Sequence, residues 1–233
     1  MTAHIRKPDT NGSQMPSSSK EAGKWRATAG YYVALVAFGL VISASGPALP
    51  GLARSTNSDL AQISIHFTAR ALGFFLGAFL IGRVYDLVPG HPVMAGALVV
   101  TAITTALLPV LPSLWSLTAI SVVLGIATGL INVGANTLLT WVHRDQVGPW
   151  LNGMHFVNGV GSFLSPILIT RVTTVTGGMT WAFWIIALFT LLPAGWLLFV
   201  QSPALVTGSR ERREDALSRR LALAIFLVFL LYY

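Results

Sequence analysis

Six apolar segments of membrane-spanning length follow one another along this chain, separated by short breaks. A transmembrane helix needs about 20 consecutive, mostly apolar residues. Charged residues make up only 10% of the 233, against roughly 25% in soluble proteins, so the chain cannot cover a water-facing surface. We therefore predict an all-α integral membrane protein built as a six-helix transmembrane bundle. The segments lie at 29–52, 60–84, 92–111, 114–142, 149–171 and 180–200.

The polar residues divide the chain into four predicted regions. Residues 1–27 are rich in Ser, Pro, Lys and Thr, which predicts a disordered cytoplasmic tail. The six-helix unit occupies 28–201, and a basic cytoplasmic loop follows at 202–219. The last apolar run, at 220–233, is too short to cross a bilayer. We expect it to be the start of a truncated seventh helix, in either a fragment or a natural truncation.

Positive charge is concentrated on one side of the predicted bundle. With the N-terminus inside, twelve Lys and Arg residues fall on cytoplasmic segments and only Arg54 and Arg171 fall outside. Cytoplasmic loops collect such charge, so we predict a multi-pass protein of the plasma or inner membrane with a cytoplasmic N-terminus. The net charge of +7 does not indicate nucleic acid, because the basic residues flank apolar segments and lack interleaved aromatic residues.

Segments 2 and 5 share a faint internal repeat. L-G-F-F-L-G-A-F-L from Leu72 aligns with V-G-S-F-L-S-P-I-L from Val160, an offset of 88 residues. The same offset pairs Gly46 with Gly134. This pattern favours a 3+3 inverted repeat, which is typical of secondary transporters. Chance matching in an alphabet dominated by apolar residues is the alternative.

Polar side chains inside three of the apolar segments are the candidate binding residues. An Arg near mid-membrane costs at least about 2.5 kcal/mol to insert, so it should face the bundle interior or a wet cavity. Amides offer donors and acceptors without a charge to desolvate, which suits neutral, hydroxyl-rich solutes. Interhelical hydrogen bonding is the alternative role for such residues. The predicted wall of a substrate cavity consists of His66, Arg70, Asn132, Asn136, His155 and Asn158.

The chain carries no sequence signature of an enzyme. A nucleotide-binding Gly-rich loop with its Lys, G-x-S-x-G and H-E-x-x-H are all missing, and there are no cysteines. We therefore predict no catalytic residues, no metal ion and no cofactor. The charged residues at cytoplasmic helix ends have another interpretation. Asp86 can pair with Arg83 or Arg144 as a gate, or it can be a solvated loop residue.

Six helices, a basic loop and a further helix resemble the N-terminal half of the major facilitator superfamily. G-R-V-Y-D at 82–86 resembles the superfamily's loop between helices 2 and 3, with Leu87 where a basic residue is expected. Four longer stretches are similar to the fucose permease and sodium-dependent glucose transporter-like branch. They are G-P-A-L-P-G-L from Gly46, A-L-G-F-F-L-G-A from Ala71, N-V-G-A-N from Asn132 and L-N-G-M-H-F-V-N-G-V-G-S-F-L-S-P from Leu151.

The resemblance implies transport of a hexose-type sugar by alternating access. By position, Asn132 falls where fucose permease has a protonatable Glu, Asn158 where it has a sugar-contacting Asn, and His155 where it has a Gln. Because that Glu is replaced and segment 1 has no carboxylate, Na⁺ coupling or facilitated exchange fits better than proton coupling of the permease type. A proton step on a His stays open.

Two further hypotheses remain, and both concern what the whole protein does. Arg70 supports efflux of drugs or anionic metabolites, and the end at Tyr233 suggests a non-transporting half. The family has twelve helices, so the resemblance implies a missing C-terminal half as a partner. A lone half supplies one wall of a central cavity.

Overall fold

All regular structure in the described part of the chain is helical. The computed structural model describes residues 17–203, where two 3-10 turns, Leu108–Val110 and Arg144–Gln146, connect longer α-helices. In hydrocarbon, only helices and closed barrels satisfy every backbone group, which explains this uniformity. The all-α prediction is confirmed. The helices are α1 (Ser17–Ser55), α2 (Leu60–Ile63), α3 (Ile65–Leu87), α4 (Gly90–Leu107), α5 (Leu114–His143), α6 (Val147–Thr176) and α7 (Thr180–Leu198).

Five stretches of the described residues are long and apolar enough to cross a membrane. The fourth, Leu114–Thr176, is 63 residues long and contains both α5 and α6. Arg144, with a φ of 48°, turns the chain between these two helices. Several apolar helices of this length make the chain an integral, multi-pass membrane protein.

Helix α1 begins earlier than predicted. Residues 17–27 are helical and are not the disordered tail expected from their polar composition. Tertiary contacts explain the difference, because the Trp25 ring packs edge-on against Trp150 at 5.0 Å and the Trp196 indole donates to the Arg26 carbonyl. Residues 1–16 of that tail lie outside the described residues, as do the rest of the predicted loop and the seventh helix from 204 onward.

Local signals fix the other helix ends. The predicted second segment is divided at Ser64 into α2 and α3, and Asp59 with Gln62 closes a capping box before α2. Helix α6 runs to Thr176, five residues beyond its predicted end. It stops there because Gly177 takes the left-handed conformation, with a φ of 74°.

Glycines let two helix pairs pack backbone to backbone. A Cβ at Gly125 on α5 would collide with the Arg70 carbonyl on α3, and one at Gly73 with the Val122 carbonyl. The pair α1 and α6 repeats this arrangement, because a Cβ at Gly161 would collide with the Val36 carbonyl. Small residues at such crossings allow the close approach that stabilises helices in membranes.

One end of the bundle, here named the N-terminal end, holds the start of α1 and the turns near residues 88, 145 and 200. Tyr31 and His91 are hydrogen-bonded at 2.7 Å, and His91 Nδ1 donates to the Val200 carbonyl at 2.8 Å. These contacts fasten the chain beyond α7 to α1 and α4. The outward faces of α3 and α6 stay apolar and exposed, as Phe79 (63%) and Phe163 (71%) illustrate.

The glycine crossings generate a stability prediction. We expect Gly125→Ala to destabilise the protein by about 1–3 kcal/mol, because the added methyl meets backbone that cannot yield. Gly96→Ala is the matched control. Gly96 is an exposed residue inside α4, and a Cβ there meets nothing within 4 Å. The alanine in this variant also has a higher helix propensity than the glycine it replaces. Thermal unfolding in detergent measures both, and equal melting temperatures would contradict the close packing of α3 on α5.

Candidate functional site

Arg70 is the only charged residue in the middle of α3, and it reaches across to α1. Its Nη1 donates to the Ile42 carbonyl at 3.1 Å and to Ser45 Oγ at 3.3 Å. The guanidinium also lies over the Phe67 ring, 5.6 Å from its centroid. These contacts offset part of the cost of placing a cation in a bilayer. The guanidinium carries five N–H donors, so donors remain for another ligand.

A cavity of about 360 Å³ opens beside Arg70. It lies between α1, α3 and α5, and Arg70 is its only charged lining residue. Aromatic and aliphatic side chains form most of its wall, which is the usual composition of a small-molecule site with a few polar anchors. The other lining residues are Phe38, Ile42, Phe67, Ala71, Phe74 and Thr128.

His66 lies one turn before Arg70 and is fully buried. Its Nδ1 is 3.1 Å from Ser121 Oγ, and Ser121 in turn donates to the Leu117 carbonyl at 2.7 Å. Since the serine hydrogen is engaged, His66 Nδ1 is the donor and Nε2 bears the lone pair of the neutral ring. That Nε2 has no hydrogen-bond partner within the described structure. His66 therefore presents a buried acceptor next to the cation of Arg70.

Asn158 and Ser162 of α6 lie against the same stretch of α1 as Arg70. Asn158 packs on Gly39, where a Cβ would be 2.9 Å from Asn158 Oδ1. Ser162 Oγ donates to the Gly39 carbonyl at 3.5 Å. Asn158 Oδ1 is buried and has no partner among residues 17–203. Residues 39–45 of α1 thus contact Arg70 of α3 and also Asn158 of α6, whose Oδ1 has no described partner.

The remaining predicted binding residues are placed differently. Asn136 uses its amide nitrogen on its own helix, donating to the Asn132 carbonyl at 2.8 Å. Asn132 is half-buried, and its side chain takes part in no hydrogen bond of the described range. His155 is exposed on α6. The structure therefore brings Arg70, His66 and Asn158 around α1 and α5 by direct contact, and it records no such contact for the Asn132 or His155 side chains.

The predicted gate residues lie at the N-terminal end of the bundle. Asp86 belongs to the last turn of α3, rather than to a loop. Arg83 is exposed, and its guanidinium lies over Phe79 at 5.5 Å. Arg144 is exposed at the turn after α5.

Ser45 and the Ile42 carbonyl, the partners of Arg70, were not predicted as part of the site. A signal near them is present in the sequence, because Pro47 inside α1 cannot donate to the Ser43 carbonyl, which adjoins Ile42. Such a proline removes one backbone hydrogen bond from the turn at residues 43–47, which includes Ser45 and directly follows Ile42. A buried cation on a neighbouring helix is then a natural partner for this turn.

Within residues 17–203, no group of three or more His, Asp or Glu side chains could hold a metal ion. The site thus consists of one cation, neutral polar groups and aromatic rings. It is suited to binding a polar solute by hydrogen bonds and stacking.

Comparison with known proteins identifies the family. The sequence profile of the Major Facilitator Superfamily matches residues 31–233. The chain belongs to the Major Facilitator Superfamily. This assignment agrees with the apolar helices, with the absence of enzyme motifs and with the predicted resemblance, which is confirmed.

The chain is similar to curated proteins of two names. Sodium-dependent glucose transporter 1 of Danio rerio is 30% identical over 155 residues, which is 66% of this chain and 26% of the relative. The Rattus norvegicus protein of that name is 29% identical over 69% of this chain and 34% of its own length. Major facilitator superfamily domain-containing protein 4A of Mus musculus is 30% identical over 59% of this chain and 27% of its own length. The chain spans about a quarter to a third of these relatives.

The contact between His66 and Ser121 generates a second stability prediction. Ser121→Ala removes the acceptor and leaves a second buried ring nitrogen unsatisfied, so we expect a loss of about 1–3 kcal/mol. Thr190→Val is the control, since buried Thr190 donates only within its own helix, to the Ile186 carbonyl. Thermal unfolding in detergent should separate the two variants. A control at least as destabilised as Ser121→Ala would contradict the pairing.

Proposed function

We propose that this chain is the N-terminal half of a secondary transporter that moves a hexose-type sugar by alternating access. The observation that carries the proposal is the cavity at Arg70, flanked through α1 by Asn158 Oδ1, which has no partner among the described residues. Both groups project from apolar helices, where polar side chains usually mark a solute path. The names of the relatives, sodium-dependent glucose transporter 1, support a sugar as the solute.

The proposal includes six transmembrane helices arranged as a 3+3 inverted repeat. Support comes from the glycine crossings, because Gly73 and Gly161 are 88 residues apart, and their contacts Val122 and Val36 are 86 apart. The first crossing joins α3, in the second predicted segment, to α5, in the fourth. The second crossing joins α6, in the fifth segment, to α1, in the first, so the two triplets exchange roles. Such an exchange is what a two-fold relation between triplets produces.

Each polar side chain has a role in the proposed binding wall. Arg70 has unused N–H donors for a sugar oxygen, and Asn158 Oδ1 accepts from a sugar hydroxyl. Aromatic rings at the cavity, such as Phe74, stack on the apolar face of a sugar ring. Asn132, Asn136 and His155 complete the wall in states in which their helices turn toward the solute.

The names of the relatives support coupling of sugar transport to Na⁺. The described site residues include no carboxylate, so the ion's ligands would be neutral oxygens or would come from the second half. Coupling to H⁺ is the alternative, with the free Nε2 of His66 as the proton acceptor.

An anionic solute is the second candidate. It is favoured by the Arg70 guanidinium, whose described partners are a carbonyl, a hydroxyl and a ring rather than a carboxylate. An acidic group on a solute would be a stronger partner for it than a sugar hydroxyl.

The proposed protein also needs a second half and a gate. A C-terminal six-helix half would cover the exposed apolar faces of α3 and α6, and Asp86 with Arg83 or Arg144 would close the N-terminal end. This partner would provide the other wall of the cavity.

Transport tests the binding wall directly. In vesicles bearing the complete native gene product, we expect Asn158→Ala together with Arg70→Gln to reduce exchange of labelled glucose at least tenfold, because two solute contacts are lost. Thr190→Val, which is remote from the cavity, is the control. Undiminished glucose exchange in the double variant would contradict the site. Loss of exchange of an anionic metabolite, with glucose never transported, would support the second candidate instead.

The proposed orientation has its own test, since the chain contains no cysteine. The loop cysteine of Asn57→Cys should react with a membrane-impermeant maleimide on intact cells. That of Gln146→Cys, at the N-terminal end, should react only after permeabilisation. The reverse pattern would contradict a cytoplasmic N-terminus.

A further inference from the structure

A second pocket lies at the N-terminal end of the bundle, away from the Arg70 cavity. Its volume is about 410 Å³, and it is formed by the start of α1, the end of α5 and the chain beyond α7. Its lining combines two basic side chains and an amide with apolar side chains, whereas Arg70 is the one charged residue at the other cavity. Its lining residues include Lys24, Trp141, His143, Arg144, Gln201 and Pro203.

The charged groups of this pocket are all basic. Lys24 and Arg144 supply two cations, and Gln201 supplies amide donors. Glu21 and Asp145 are exposed nearby, and neither lines the pocket. The carbonyl end of α5 at His143 disfavours an anion here. Helix α6 begins four residues later at Val147, and no side chain caps its first N–H groups, which favour an anion. The net field at the pocket is therefore positive.

One wall of the pocket, at His143, is held in place by side-chain contacts. His143 stacks on Trp150 at 4.3 Å with an 18° interplanar angle. Thr28 Oγ1 donates to the Lys24 carbonyl, so at 2.7 Å it accepts from His143 Nε2. Arg144 begins the 3-10 turn between α5 and α6, and its backbone has a φ of 48°. Pre-formed walls lower the ordering cost of binding a ligand.

We propose that this pocket binds the phosphate-bearing headgroup of an anionic phospholipid. A lipid fits better than a free anion, because the cations adjoin apolar lining from Trp141 and Pro203. Trp25 and Trp150 pack on each other beside it, and tryptophans concentrate where helices meet the headgroup layer. Basic pockets between transmembrane helices are a recognised way to hold such lipids. The pocket lies apart from the Arg70 cavity, and its Arg144 is also one of the two arginines proposed to pair with Asp86 in the gate.

Lipid binding to the purified, complete protein in detergent tests this site. The probes are dioleoylphosphatidylglycerol, dioleoylphosphatidylcholine and inorganic phosphate, and native mass spectrometry counts the bound molecules. We expect a preference for phosphatidylglycerol that falls about fivefold in Lys24→Gln and again in Arg144→Gln, the effect of one basic side chain at a charged membrane surface. Lys24→Arg should retain the preference, which separates loss of charge from misfolding.

Arg26→Gln is the matched control. Arg26 is exposed two residues along α1 from Lys24 and lies outside the pocket. Equal losses in Arg26→Gln and Lys24→Gln would mean diffuse attraction to the basic end and would overturn the site. So would equal binding of the two lipids. Binding of inorganic phosphate that depends on Lys24 and Arg144, with no preference between the two lipids, would overturn the lipid assignment and leave a free-anion site.

Discussion

Close backbone contact between helices is the constraint on which this structure depends. Lipid is as apolar as the helices, so burial of hydrophobic surface does not hold them together. Two crossings, α3 on α5 and α1 on α6, achieve contact through glycines whose added Cβ atoms would meet carbonyls. These crossings set the rotation of each helix. That rotation decides which polar side chains point inward.

The position of the polar residues follows from those crossings. Gly125 lies on the Arg70 backbone and Gly39 on the Asn158 backbone, so each key side chain projects beside a glycine contact. Arg70 then reaches α1 just before Pro47, where the Ile42 carbonyl and the Ser45 hydroxyl accept its hydrogen bonds. The cation is stabilised without a carboxylate among these contacts, which leaves it able to bind a solute.

Much of the fold could be predicted from the sequence, because apolar length is a local signal. The segments containing α3, α4, α5 and α7 were found in this way, and Arg70 was expected to face inward because lipid excludes it. The helical start of α1 was missed, since Trp25 is held by Trp150, more than a hundred residues away. The partners Ser45 and Ser121 were missed for the same reason: helix rotation depends on contacts between distant segments. The use of the Asn136 amide on its own helix has no sequence signal that separates it from a ligand contact.

In the proposed transporter, the cavity at Arg70 receives the solute. Ala71 lines that cavity from α3 and is exposed, so Ala71→Cys in an otherwise cysteine-free complete protein places an accessible thiol at its wall. The rate at which a small, hydrophilic thiol reagent labels this cysteine should fall when glucose is added, and should not fall with an equal concentration of a non-transported polyol. A labelling rate that is the same with and without sugar, in protein that exchanges the sugar, would contradict the account.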